Sequence, residues 1–547
     1  MRPLALIPLA LLAACQTTRV ADTGADPSVA TMRRVVERLA SDEFEGRAPG
    51  TVGEEKTAQL LVSEFTRAGL QPGNNGSFFQ EVPLAEITAT NVSPLRFTGG
   101  VRPVTAAYGP EMVVGTYRTA QPRVRVADSP VVFVGYGINA PEKGWNDYAG
   151  ADVRGKTVVI LVNDPDYETA GLTGPFNGRA MTYYGRWTYK FEEAARQGAA
   201  AAVIVHDTVP AAYGWNVVQS SWTGAQQVAD AANDNADQSL AIGWITTPKA
   251  QELMASAGQD LAQLTAAAKR PGFRAVPLPV RMSVSFDNEV RKHRSRNIIA
   301  MLPGTERPDE YVLYTAHWDH LGRCERAADG DDICNGAVDN ATGTAALVAM
   351  AEANARAGRT ARTQVFLAVT AEESGLLGAR YYAANPVFPL ARTVGGVNID
   401  AMSTAGPARN VVVVGRGKSE LDGYLDRALA TQGRVASPEP TPEKGYYYRS
   451  DHFELAKRGV PMLYFDGGDD LVTGGRAAGA AAAADYEKNR YHGPQDEVTP
   501  DWNWEGLGRD LTVYYRVGRD LASTDAWPNW VAGDEFRAVR DASRAGK

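Results

Sequence analysis

From residue 295 onward the chain alternates short apolar runs with amphipathic segments, and that alternation leaves few folds open to it. The apolar runs are RNIIAMLPG, YVLYTAH, TQVFLAVTA, GGVNID, NVVVVG and VPMLYFD. Between and after them lie helical stretches: ATGTAALVAMAEANARAG, GLLGARYYAAN, SELDGYLDRALATQG and one within residues 505–522. Apolar strands bounded by helices predict an α/β fold, a mostly parallel central sheet flanked by helices on both faces. In such sheets ligands bind outside the carboxyl ends of the strands. The full length of 547 residues predicts two or three domains rather than one.

The rest of the chain divides by character. Residues 1–14, MRPLALIPLALLAA, carry one basic residue, an apolar stretch and small residues, the layout of a secretory leader too short to span a membrane. The leader ends in LAAC, which resembles the bacterial lipoprotein box, so Cys15 is the expected lipidation site. Gln16 follows it where inner-membrane retention favours Asp, so the expected location is the outer membrane facing the periplasm, with the lipid as the only membrane contact. Residues 15–30 read as a tether, and 31–110, with helical MRRVVERLA and GEEKTAQLLVSEFTRAGL, as the first part of the main domain. Residues 111–280 read as an inserted α+β or β-rich domain, with strands at TVVILVN and AAAVIVHD around a helical YKFEEAARQG. The main domain then fills 281–547, with RKHRSR at 291–296 expected as a solvated loop and the alanine-rich 477–485 as a short helix or filler.

Composition excludes several classes. Apolar residues at 44% and charged residues at 22% are those of a globular protein, not of a disordered or disulfide-scaffold chain. A net charge of −8 argues against a nucleic-acid partner, which requires a basic stripe. With Cys15 assigned to lipid, Cys324 and Cys334 remain in an oxidising compartment and are expected to pair as a disulfide.

Metal-type residues collect where the apolar runs stop. YVLYTA leads into His317 and Asp319, TQVFLAVT into Glu372 and Glu373, and GGVNI into Asp400. Asp339 precedes a helix, and His492 lies in YHGPQDE near the end. A lone carboxylate at a strand end is ordinarily a cap or a solvated loop group. Gathered together without a cation, these groups would repel and shift one another's pKa values. A pair of divalent ions resolves the conflict. Zinc takes His nitrogen and carboxylate oxygen, and a two-ion site needs a bridging carboxylate, terminal ligands and a base left free for water.

The segments AHWDHLG, GAVDNATGTAALVAMAEA, TAEESGLLGARYY, NIDAM, YYYRSDHFELAKRGVPMLYF and YHGPQDE, in this order, resemble the di-zinc aminopeptidase family. That family includes the bacterial leucyl-type aminopeptidases, aminopeptidase Y and glutamate carboxypeptidase II. The resemblance covers the N-terminal helices and residues from about 290 to 522, and the middle segment looks like the protease-associated domain that many members carry. It implies two co-catalytic zinc ions, with Asp339 bridging them, His317 and Asp400 completing one, and Glu373 and His492 the other. It implies Glu372 as the general base, Asp319 orienting the His317 imidazole, a cis peptide after Asp339, and a tyrosine near SDH beside the developing oxyanion. Tyr447 is the expected residue, with Tyr446 and Tyr448 as neighbours that could take its place. His452 is expected to be structural or pocket-lining, His320 to line the site without ligating, and His206 and His293 to have no functional part.

The expected activity is zinc-dependent exopeptidase work on peptides, as an aminopeptidase. Carboxypeptidase, dipeptidase or other amide chemistry on the same core, or an inactive receptor-like protein, are the alternatives. An HExxH zincin is excluded because no His-Glu dipeptide occurs, and no Gly-x-Ser-x-Gly elbow supports a serine hydrolase. Arg449 is the residue that could grip a substrate carboxylate, as a carboxypeptidase would require.

Overall fold

The computed structural model describes residues 26–324 and 326–545; Cys15, the leader and most of the tether lie outside the described residues. One mixed sheet runs through the main domain. Its strands lie in the order Phe79–Thr90, Val276–Leu302, Arg362–Val369, Arg307–His317, Thr393–Asn398, Met462–Asp466, Asn410–Val414, Val435–Pro438. The four strands from Arg362–Val369 to Met462–Asp466 are mutually parallel, and antiparallel pairings join on either side. Arg362–Val369, Thr393–Asn398 and Met462–Asp466 are buried along almost their whole length, and Arg307–His317 from Val312 onward, as strands covered on both faces must be.

Helices Val29–Leu39, Val52–Arg67, Thr342–Arg356 and Trp504–Ser523 share one core with the sheet. Twelve of the fifteen residues of Thr342–Arg356 are buried, which its run of small side chains permits by letting neighbouring backbones approach closely. The opposite face is covered by Leu377–Ala384 and by Leu455 and Val460, packed on Ile299, Leu313 and Val365. Each fully buried Leu, Val or Phe here contributes about 1.5–3 kcal/mol relative to an exposed one. Among the described residues no helix is long and apolar enough to cross a membrane.

The inserted region has its own parallel core, Arg123–Phe133, Thr157–Leu161, Ala201–His206 and Ala241–Thr246, with helix Trp187–Arg196 as one crossover. It is not cut cleanly from the main domain. The strand Val276–Leu302 pairs with Arg123–Phe133 along its first part, with Phe79–Thr90 along its second, and with Arg362–Val369 at its end. Residue 280 therefore falls inside one continuous strand. The RKHRSR segment also lies in this strand and is not a loop. Antiparallel pairing with Phe79–Thr90 satisfies its backbone, and its charges find acidic partners. Arg291 pairs with Glu86 at 3.0 Å, Lys292 with Asp234 at 2.6 Å and Arg296 with Glu55 at 2.7 Å. The alanine-rich segment forms part of helix Gly475–Asn489.

The insert reaches back to the strand ends through residues 179–192. The Met181 amide donates to the Pro442 carbonyl at 3.1 Å, Arg179 pairs with Glu443 at 2.5 Å, and the Tyr183 ring meets Phe453 at 5.2 Å between centroids.

Close strand packing beside the site is open to test. A methyl group on Gly396 would lie 2.3 Å from the Leu313 carbonyl oxygen, in the strand that ends at His317. Gly396→Ala should lower unfolding stability by about 1–3 kcal/mol, read as a lower denaturant midpoint; an unchanged midpoint would refute the packing described.

Candidate metal centre

The residues proposed from the sequence as ligands converge at the carboxyl ends of the parallel strands. His317 is the last residue of its strand, Asp400 follows Thr393–Asn398 by two positions, and Glu372 and Glu373 follow Arg362–Val369. Asp339 lies just ahead of helix Thr342–Arg356, and His492 follows helix Gly475–Asn489. His317 Nε2 lies 3.2 Å from Asp400 Oδ1 and 3.3 Å from Asp339 Oδ1. His492 Nε2 lies 3.5 Å from Asp339 Oδ2 and 3.0 Å from Glu373 Oε2. Asp339 thus turns one oxygen to each of two ligand groups.

Local backbone geometry sets that carboxylate. The Asp339–Asn340 peptide is cis, and Gly336, with φ 53°, turns the chain into it. The amides of Val338 and Asp339 both donate to the buried Asp496 carboxylate, at 3.0 Å each to its nearer oxygen. Asn340 donates to the Ile399 carbonyl at 3.0 Å and accepts from the Ala401 amide at 3.1 Å, which ties the segment to the one bearing Asp400. Thr344 donates to the His317 carbonyl at 2.6 Å.

Electrostatics match a cation site. Desolvation disfavours the charged His492 imidazole, but Glu373 and Asp339 outweigh it and hold this group up at about 10. Burial raises Glu373, yet His492 and His320 carry it down to about 2 against the like charge of Asp339. His317 is likewise held well above its ordinary value: burial opposes its charge, and Asp400, Glu372 and Asp339 overcome that. In the absence of a metal, protons on the imidazoles neutralise part of the acidic charge. Divalent ions would take that role: donor atoms lie within 4.8 Å of one another in each of three groups, His317 with Asp339 and Asp400, His317 with Glu372 and Glu373, and His320 with Asp339 and Glu373. Glu372 differs from its neighbour. Among the described residues its carboxylate has neither ion pair nor hydrogen bond. Burial first, then Asp400, Glu373 and Asp451, push it well above the usual carboxylate range.

Three expectations change on inspection of the site. His317 Nδ1 faces the backbone carbonyl of Asp319 at 3.1 Å, while the Asp319 carboxylate stands 3.7 Å away and accepts the Glu372 amide at 3.2 Å. Asp319 orients the imidazole mainly through its main chain, because the two-residue turn brings its carbonyl closer than its side chain. Tyr447 is not brought to the carboxylates. It is buried against Phe536, His452 and Lys418, its hydroxyl has no hydrogen-bond partner, and the acids that act on it are Asp534 and Glu535. Tyrosines that do face the cluster include Tyr464, which donates to the Asp400 carbonyl at 3.4 Å, and Tyr491, whose ring stacks on His492 at 3.9 Å and whose acidic neighbours are Asp339, Glu373 and Glu372. The position of Tyr491 directly before His492 was the available signal. His320, expected only to line the site, holds Glu373 Oε1 at 2.5 Å through Nδ1.

Several remaining assignments concern neighbouring groups. Cys324 and Cys334 form a disulfide, and Cys334 Sγ lies 3.7 Å from the His492 carbonyl oxygen. His452 is fully buried, with both ring nitrogens unpartnered, outside the ligand set. His206 packs among Tyr213, Trp215 and Trp244, and His293 faces Gln227 at 2.8 Å, both away from the cluster.

Comparison with known proteins places this geometry. The family model Peptidase family M28 matches residues 297–513, the segment that carries every proposed ligand. A Caenorhabditis elegans protein described as a glutamate carboxypeptidase 2 homolog is 32% identical over 128 residues, 22% of this chain and 15% of that protein. A probable zinc metalloprotease of Leptosphaeria maculans is 31% identical over 137 residues, 25% of this chain and 28% of that protein. The matched stretch is therefore less than a third of either relative. The solved structure of an aminopeptidase from Aneurinibacillus sp. strain AM-1 is similar in fold, with a TM-score of 0.51 at 19% identity over 92% of this chain and 96% of that one.

Two outcomes follow from the geometry. Asp339→Ala should reduce occupancy at both positions, and elemental analysis still finding two ions would refute a bridging role. Neighbouring carboxylates hold the His492 and His317 imidazoles above their ordinary values, so metal uptake should compete with protons there. Affinity should therefore rise with pH from neutrality toward about 10, the value of His492. Titration calorimetry in buffers of different ionisation enthalpy should show proton release at pH 7, and no release would contradict the protonated imidazoles.

Proposed function

We propose that this chain, with its peptidase family M28 segment at residues 297–513, is a zinc-dependent exopeptidase that removes N-terminal residues from peptides. The observation that carries the proposal is Asp339, one oxygen toward His317 and Asp400, the other toward His492 and Glu373, with Glu372 left free beside them. His317, Asp339 and Asp400 would hold one zinc; Asp339 and Glu373 would hold the other, with His492, which lies 3.5 Å from Asp339 and 3.0 Å from Glu373, as the third ligand and His320 beside them. When bound, the ions lower the pKa of water and polarise the scissile carbonyl.

The protein's own groups supply the rest. Glu372 would take a proton from the attacking water and return it to the leaving amine; burial, which raises its pKa above the usual carboxylate range, strengthens it as a base. Tyr491, stacked on His492, would be the phenol that donates to the developing oxyanion. Desolvation and the surrounding acids hold its proton well beyond neutral pH, so it stays a donor. His320 fixes Glu373 and the Asp319 carbonyl fixes His317, which limits the freedom of both ligands.

A second reading, that the substrates are short peptides with a free carboxylate, has a specific observation in its favour. Arg449 stacks on Tyr446 at 5.4 Å, with Tyr491, Tyr213 and Glu372 as neighbours. Arg186, carried by the insert, has Arg449 as its principal charged neighbour and an unpartnered Nε. Among the described residues neither guanidinium has a carboxylate within ion-pair distance. Two adjacent guanidiniums without a counter-ion suit an anionic substrate terminus. We further propose that Cys15 is lipidated and anchors the enzyme to the outer membrane facing the periplasm, and that the insert is a protease-associated domain.

Dipeptides with free, N-acetylated and C-amidated ends test the reading, assayed before and after chelation. Cleavage of free-amine substrates that chelation abolishes and zinc restores is expected; equal cleavage of N-acetylated substrates would refute aminopeptidase action. Glu372→Gln should lower kcat by about 10²–10⁴-fold with zinc content retained, and normal turnover would remove it as the base. Cys15→Ser should move the protein from the membrane to the soluble fraction, and unchanged membrane association would refute lipidation.

A further inference from the structure

Arg47 belongs to the N-terminal segment, outside the family match, yet it lies beneath the metal centre. It is fully buried and sits in a left-handed run in which Glu45, Gly46 and Arg47 have φ of 47°, 65° and 52°. Gly46 permits the approach, because a methyl group there would meet the carbonyl oxygens of Cys334 and Gly322 at 2.5 Å. The guanidinium then spends its donors on backbone oxygens. Nε donates to Trp318 at 3.0 Å, Nη1 to Asn335 at 2.6 Å and to Leu39 at 2.7 Å, and Nη2 to Gly336 at 3.0 Å.

These carbonyls are not arbitrary. Trp318 lies between His317 and Asp319, and its carbonyl follows the first ligand directly. Asn335 and Gly336 form the turn that leads into Asp339. The Arg47 carbonyl in turn accepts the His320 amide at 3.4 Å. One planar group therefore binds the main chain on both sides of the space between His317 and Asp339, while Asp496 holds the Asp339 amide from another side. Among the described residues no carboxylate lies within ion-pair distance of Arg47. Its charge is left for the cluster as a whole, and the acids that act on it are Asp319, Asp496, Asp339 and Glu373.

We propose that Arg47 is a positioning residue of the metal centre, its guanidinium setting the separation of the His317 and Asp339 segments through the carbonyls of Trp318, Asn335 and Gly336. The proposal rests on the reading of that site as a zinc centre. Lysine at this position keeps the charge but is a single point donor without the fork, so it cannot span three carbonyls on two segments.

The test compares Arg47→Lys with Arg362→Lys. Arg362 is equally buried and also bonds backbone carbonyls, those of Leu521, Ala526 and Asp525, away from the ligands. For each purified full-length protein, zinc affinity is measured by competition with a chelator, stability by the melting temperature of the zinc-free form, and activity by kcat and KM on a free-amine dipeptide. Arg47→Lys should weaken binding of zinc by about 10–100-fold and lower kcat with KM within about twofold, while Arg362→Lys loses stability but keeps its zinc affinity. An Arg47→Lys protein with wild-type zinc affinity, or the two variants losing affinity in proportion to their loss of stability, would overturn the proposal. Should Arg47→Lys not fold, hydrogen exchange on the wild type serves instead. Zinc should slow exchange in residues 42–48 together with 317–320 and 335–341, and unchanged exchange in 42–48 would overturn it. A wild type that binds no zinc overturns the zinc-centre reading and this proposal with it; a wild type that binds two ions beside an unaffected Arg47→Lys overturns this proposal alone.

Discussion

The mutual repulsion of buried carboxylates is the constraint around which the rest of the molecule is arranged. Asp400, Glu373 and Asp451 raise the pKa of Glu372, Asp400 raises that of Asp451, and Asp339 opposes the charge of both Glu373 and Asp496. Such a cluster costs stability unless positive charge enters it. Two imidazoles meet part of that need, the buried Arg47 adds a fixed charge, and the donor set that remains has the composition of a two-zinc site.

The fold makes this tolerable by building the cluster on rigid parts. Parallel strands buried on both faces deliver His317, Glu372, Glu373 and Asp400 to one edge, while a helix of small residues brings Asp339 up from beneath. His492 comes from farther along the chain and is steadied by its stacked neighbour Tyr491 and by the disulfide segment at Cys334. The insert is tied to this edge through Met181, Arg179 and Tyr183, and shares the strand Val276–Leu302 with the main sheet. Its Arg186 has Arg449, from the main domain, as its principal charged neighbour.

Much of this was legible in the amino-acid order because its causes are local. Apolar runs such as YVLYTAH and TQVFLAVT can only be buried strands, and a polar ligand at the end of each follows from where a parallel sheet meets solvent. What escaped depends on distant partners. The family resemblance points to Tyr447, but Phe536 and Lys418, from elements remote in sequence, draw its ring into another cluster. RKHRSR looks like a solvated loop until Phe79–Thr90 supplies a strand to pair with it and Glu86, Asp234 and Glu55 supply its counter-charges. Arg47 bonds only to main-chain oxygens, which carry no residue identity, so nothing in its neighbours' side chains announces its role.

The central claim is that Asp339 lies between two ions. Anomalous diffraction recorded at the zinc absorption edge from zinc-loaded crystals tests it most directly. The account predicts two peaks about 3.5–4 Å apart, both within coordination distance of Asp339, one shared with His317 and Asp400 and the other with Glu373 and His492. A single peak, or two peaks with Asp339 bound to only one of them, would contradict it.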